Sequence, residues 1–159
     1  QSATKKTEIG NLIVQLKQFL KLFFRRRRAE VKNRRLKMKN LKLAIVGATG
    51  MVGRKFLEVL EERNFPVSEC RLFASEKSAG KMLTAFGKQT EVLLLSPENV
   101  KKYPVDVALF SAGGAVSELY APLFVKTGAV VIDNSSKWRM DEKVPLVVTE
   151  VKPEDALSN

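Results

Sequence analysis

The chain has 159 residues, 45% of them hydrophobic, which is enough for the core of one domain and ordinary for a soluble globular protein. Its formal charge of +11 is unevenly placed: residues 1–40 hold 13 Lys and Arg against Glu8 and Glu30, and the rest is balanced. That distribution excludes a domain that is itself a basic nucleic-acid binder, and no apolar run reaches the roughly 18 residues of a membrane span. There is no His to serve as ligand or general base, and the single Cys70, unable to form an internal disulfide, fits a reducing compartment.

Taken in chain order, the first element is a stripe. Ile9, Leu12, Ile13, Leu16, Phe19, Leu20 and Phe23 recur at helical spacing and run into Arg25-Arg26-Arg27-Arg28. A membrane-surface helix, a nucleic-acid arm and an organellar targeting peptide would each look like this. The favoured reading is plainer: residues 1–40 are a basic extension, helical or disordered, that belongs to no fold. Met38-Lys39-Asn40 stands just before the first convincing strand, so residues 1–37 would then be in-frame upstream sequence or an appendage. Gln1 in place of an initiator Met is expected of a fragment or a processed chain.

From residue 41 the grammar changes. Leu41 to Val46 is a short apolar run suited to a buried parallel strand, and Met51 to Arg63 is an amphipathic helix ended by Asn64-Phe65-Pro66. Arg71 to Ala74 reads as a second strand. Met82 to Phe86 and Glu91 to Leu95, split by Gly87-Lys88, read as a hairpin. Val105 to Phe110 is another strand, and Val116 to Lys126 is a helix closed by Gly128. Ala129 to Ile132 is a further strand, and Leu146 to Thr149 one more. Strands alternating with helices predict an α/β, Rossmann-like, doubly wound domain over 41–159, its mainly parallel sheet covered on both faces.

Between the first strand and helix lies Gly47-Ala48-Thr49-Gly50-Met51-Val52-Gly53. Gly47 permits the turn off the strand, Gly50 lets the backbone approach a pyrophosphate, and Gly53 lets the helix pack closely. The free N–H groups of the helix start then face the anion. The spacing is G-x-x-G-x-x-G, a looser signal than G-x-G-x-x-G. At the end of the second strand, Ala74-Ser75 is followed by Glu76, Lys77 and Ser78. A cation with two hydroxyls suits a ribose 2′-phosphate, so NADP is favoured, although Glu76 argues mildly for the bare ribose of NAD. Ser111-Ala112-Gly113-Gly114, after the strand at 105–110, offers a second set of backbone donors; it would equally serve as a tight turn and helix cap.

Five ordered segments carry a resemblance: GATGMVG at Gly47–Gly53, ASEKSAGK at Ala74–Lys81, VDVALFSAGG at Val105–Gly114, VVIDNSSKWRM at Val130–Met140, and VPLVVTEV at Val144–Val151. Together they resemble the aspartate-semialdehyde dehydrogenases from about Lys42 to Leu157. The related N-acetyl-glutamyl-phosphate reductases share the architecture, but SAGG and DNSS look more like the aspartate branch. The resemblance implies a family enzyme that interconverts aspartate semialdehyde and aspartyl phosphate in amino-acid biosynthesis with NADP and phosphate. A cysteine thiolate attacks the aldehyde, hydride passes to the nicotinamide, and phosphate cleaves the thioester.

Carried to this chain, the resemblance implies that Thr49, Gly50, Met51 and Val52 form the pyrophosphate turn with Gly47 and Gly53. It implies that Lys77 and Ser78, beside Ser75, contact the 2′-phosphate, and that Ser111, Ala112, Gly113 and Gly114 approach the cofactor. Arg139 matches the family's substrate-phosphate arginine. Lys77 often stands as Arg in the family, so a weaker, non-bidentate contact is expected; Thr149 replaces a usual Pro, and Lys152 a common Asn. The family's nucleophilic cysteine and acid–base histidine come later than Asn159. The expectation is therefore an N-terminal NADP-binding part, inactive alone, with no catalytic residue and no metal site of its own. Cys70 is not expected to stand in as nucleophile, and Asn134, Ser135 and Ser136 are expected only to order their loop. The complete enzyme would be a cytoplasmic homo-oligomer, or organellar were the extension a targeting segment. The competing reading is a stand-alone dinucleotide-binding module that senses cofactor or regulates a partner.

Overall fold

The computed structural model describes residues 41–138. The apolar stripe at 9–23, the strand expected at 146–149 and Arg139 lie outside them. Residues 41–137 fall within one compact unit.

The described elements are β1 (Leu41–Val46), α1 (Met51–Glu62), β2 (Val67–Ala74), a single 3-10 turn (Glu76–Ser78), β3 (Met82–Ala85), β4 (Lys88–Leu94), α2 (Pro97–Lys102), β5 (Val107–Phe110), α3 (Gly114–Lys126) and β6 (Val130–Asp133). Among the described residues they build one six-stranded sheet in the order β3-β4-β2-β1-β5-β6. Every neighbouring pair is parallel except β3 and β4, the expected hairpin. Its turn is Phe86-Gly87, one residue earlier than the sequence suggests, and both residues take positive φ, 51° and 72°. Such a turn matches the strands' own twist, and Glu61 of α1 steadies it by accepting the Phe86 N–H at 2.6 Å.

β4 starts at Lys88 rather than Glu91, β5 at Val107 rather than Val105 and α3 at Gly114 rather than Val116, and two further elements differ more. β2 starts at Val67, not Arg71, because Ser68 and Glu69 sit on a half-exposed strand start that shows no apolar run. There Glu69 pairs with Arg71 at 2.9 Å and with Lys42 at 3.8 Å. α2 was not anticipated, although its start is written plainly. Ser96 accepts the Asn99 N–H at 3.2 Å, Pro97 opens the helix, and Glu98 follows. The Glu98 carboxyl is held below its ordinary range by its own backbone N–H and by Ser96.

β1 leads to β2 in one direction along the sheet and β5 leads to β6 in the other. Right-handed crossovers therefore put α1 on one face and α3 on the opposite one, with α2 beside α3. Register sorts the core accordingly. Val46 pairs with Phe73 and Phe110, so the three share a face. Phe124 of α3 closes over them, edge-on to Phe73 (5.6 Å) and to Phe110 (5.4 Å). Ile45, Leu72 and Leu109 form the row on the other face, where α1 brings Phe56, Leu57 and Leu60. No helix of the described residues is long and apolar enough to cross a membrane.

Candidate dinucleotide site

Strand order reverses between β1 and β5, so a crevice opens at their carboxyl ends, the usual place for a ligand in a doubly wound sheet. The glycine turn lies on one side of it. Gly47 leaves β1 at φ +84°, and a Cβ there would stand 2.8 Å from the Ser111 carbonyl oxygen at the end of β5. The Phe73 carbonyl accepts both the Gly47 and Ala48 N–H groups, at 2.9 and 3.2 Å, which pins the turn to β2 as well. A Cβ on Gly53 would meet the Gly47 oxygen at 2.3 Å and the Ala48 Cα at 2.8 Å, so α1 packs against the turn itself. Gly50 differs. It is exposed, its φ is an ordinary −73°, and its nearest contact for a Cβ would be 3.3 Å away. A Cβ there would crowd the Gly47 carbonyl oxygen only slightly, a much milder demand than at Gly47 or Gly53.

The helix starts that face this crevice are bare. Gly50 stands at the cap position of α1 and Gly113 (φ +87°) at that of α3, neither helix has a side-chain cap, and neither has an acidic residue in its first turn. α2, with its Ser96 cap and Glu98, satisfies its own start. Two adjacent helix starts thus offer unpaired N–H groups and the positive ends of their dipoles to an anion.

The structure brings most of the expected residues together. The Thr49 hydroxyl donates to Ser78 Oγ at 3.3 Å, which sets the 3-10 turn carrying Lys77 beside the glycine turn. Ser75 and Lys77 are exposed, and Lys77 forms no ion pair among the described residues. Met51 is exposed and Val52 half-buried at the start of α1. Ala112, Gly113 and Gly114 line the opposite helix start. Ser111 is turned inward: its N–H and its hydroxyl both donate to the Val46 carbonyl, at 2.9 and 3.1 Å, so its side chain braces the two turns against each other. At the end of β6, Asp133 and Ser117 meet, and neither stands out in the sequence as a site residue. The Asp-Asn-Ser run is a recognisable turn signal, but nothing in the sequence shows that a helix hydroxyl 16 positions earlier completes it.

Cys70 lies within β2, paired with Leu43, rather than before the strand. Burial pushes its thiol up from 9.0 to about 12, with Glu61 adding repulsion and Arg71 only partly offsetting both. It is the opposite of an activated nucleophile. Because the unfolded thiol ionises first, stability falls as pH rises from 9.0 towards about 12. At pH 8 the native chain should resist a disulfide-exchange reagent and react fully once denatured; rapid native labelling would contradict this placement. Among the described residues no cluster of His, Cys, Asp and Glu could hold a metal ion.

A glycine turn at a topological switch point, two bare helix starts and a hydroxyl–lysine turn beyond the second strand define a dinucleotide-binding α/β domain. The chain belongs to the family described as semialdehyde dehydrogenase, NAD binding domain, which it matches over residues 42–158. It is 64% identical over 114 residues to the aspartate-semialdehyde dehydrogenase of Aquifex aeolicus, covering 72% of this chain and 33% of that protein. Aspartate semialdehyde dehydrogenase II of Vibrio cholerae, solved in complex with ASA, superposes with a TM-score of 0.68 at 49% identity, over 73% of this chain and 37% of that one. The Candida albicans enzyme solved with NADP gives 0.62 at 29% identity, over 72% and 35%. The chain thus spans about a third of the length of the relatives it matches, their N-terminal NAD(P)-binding part.

Proposed function

We propose that the domain opening at Leu41 is the NADP-binding part of an aspartate-semialdehyde dehydrogenase, serving the reduction of aspartyl phosphate to the semialdehyde and its reverse. The observation that carries the reading is the arrangement around Lys77: an exposed cation, in no ion pair among the described residues, on a turn tied through Ser78 to Thr49 of the glycine turn. There it would meet a phosphate on the adenosine ribose while the pyrophosphate lies at Gly50 and the two helix starts. The Candida albicans relative, solved with NADP, supports the same choice.

NADP, when bound, supplies the hydride chemistry; the residues of this chain bind and orient it. Gly50 leaves the approach open, the start of α1 neutralises phosphate charge, and Lys77 with Ser75 and Ser78 selects the 2′-phosphate. Arg139 is assigned to the substrate phosphate, as the family pattern implies. The 159 residues include no histidine, and their one cysteine is held as a thiol, so the cysteine–histidine pair that the family pattern implies cannot be assembled from them. A stand-alone sensing module gains no specific support from this geometry.

Lys77→Ala tests the reading. One charge-assisted contact is worth about 1.5–3 kcal/mol, so NADP affinity should fall roughly tenfold to a hundredfold. NAD affinity should change less than about twofold, since it lacks the group that Lys77 contacts. Equal losses for both cofactors in calorimetric titration would sink the assignment of Lys77.

A further inference from the structure

The loop after β6 is held more firmly than an ordinary strand end. Both oxygens of the Asp133 carboxylate are engaged. Oδ1 accepts the Ser135 N–H at 2.8 Å, and Oδ2 accepts the Ser135 hydroxyl at 2.7 Å together with the hydroxyl of Ser117 on α3. Ser117 is buried at 1% exposure. Ser135 Oγ in turn accepts the Lys137 N–H at 3.3 Å, and Lys137 Nζ reaches Glu118 of α3 at 2.7 Å. Upstream, the Asn134 N–H donates to the Phe110 carbonyl at 3.1 Å, one step beyond the β5–β6 ladder. The loop is therefore fastened to β5 and to the first turns of α3. It also lies against the bare helix start, since a Cβ on Gly114 would sit 3.5 Å from Lys137 Cβ.

A dinucleotide seated at a switch point spans it. With Lys77 and Ser78 fixing the adenosine half beyond β2, the nicotinamide half must extend over the ends of β5 and β6, where this loop stands. Resting on the NADP reading above, we propose that Asp133 is a positioning residue, acting through Ser117 and Ser135. It fixes the loop at 134–137 as the wall of the nicotinamide half. It touches neither cofactor nor substrate; it sets the place of the backbone that does. The network also explains a buried hydroxyl on an otherwise apolar helix face, where valine or alanine would pack more simply.

The test is calorimetric titration of the whole chain with NADP and with 2′,5′-ADP, which keeps the phosphorylated adenosine half and lacks the nicotinamide. Asp133→Asn, nearly isosteric but unable to accept through both positions, should weaken NADP roughly tenfold and leave 2′,5′-ADP within about twofold. Ser135→Ala should behave likewise, and Ser135→Thr, which restores the hydroxyl, should recover NADP affinity. This pair keeps the question open to disproof should Asp133→Asn fail to fold. Equal weakening of both ligands, or no weakening of either, overturns the assignment while leaving the NADP reading standing. A wild-type chain that binds neither ligand overturns that reading and the assignment with it.

Discussion

Gly53→Ala should lower the thermal unfolding midpoint by about 10 °C or more and abolish measurable cofactor binding. The added Cβ would stand 2.3 Å from the Gly47 oxygen and 2.8 Å from the Ala48 Cα. Both are backbone atoms, so no side chain can turn aside to relieve the contact. Either α1 lifts away from the sheet or the glycine turn is displaced. Overpacking of this kind costs about 3 kcal/mol, at the upper end of its usual range. In a domain of this size each kcal/mol shifts the midpoint by about 4–8 °C. Gly50→Ala supplies the contrast: at 3.3 Å its Cβ asks the Gly47 carbonyl oxygen to give by only a few tenths of an ångström, so it should melt far closer to the wild type than Gly53→Ala while losing affinity. Circular dichroism melts and cofactor titrations on the two variants separate a packing glycine from a ligand-facing one. A Gly53→Ala chain that melts with the wild type would contradict the packing described.

Phe124→Ala should remove about 3–5 kcal/mol of stability, the usual cost of deleting a buried aromatic ring. Phe124 is fully buried and is the residue through which α3 grips the sheet, edge-on to Phe73 and Phe110 from two strands that flank β1. Few neighbours could collapse into the space, because the residues beneath it are held in register by three parallel strands. Against a total stability of about 5–15 kcal/mol, the variant would be marginal. Urea denaturation should show a lower midpoint at an unchanged slope. A loss below about 1 kcal/mol would mean that α3 is held some other way.

How much of this was legible in the sequence depends on whether the signal is local. β1 is a continuous apolar run and was read to the residue, as was the glycine turn that follows it. β2 was read only in its last half, since Val67 to Cys70 is half-exposed and its pairing with β1 is a long-range fact. The start of α2 carries a cap, a proline and an acid in sequence; six residues are too few for helical periodicity to announce it. At the site, Thr49, Lys77 and Ser78 could be named from motif and chemistry. Their meeting across 29 positions could not, because nothing in either segment encodes the other. Ser111 shows the same gap from the other side: a serine in a glycine-rich turn looks ligand-facing until its hydroxyl is found bonded to the Val46 carbonyl. The Asp133–Ser117 tie went unread for that reason too.

The proposed function requires that the chain hold NADP. Calorimetric titration with NADP and with NAD, paired with thermal melts at saturating ligand, addresses this directly. The predicted result is saturable binding of NADP, tighter than that of NAD. At a hundred times its dissociation constant NADP should stabilise the chain by about 2.7 kcal/mol. Equal affinity for the two cofactors would contradict the role given to Lys77, and no binding of either would contradict the dinucleotide site itself.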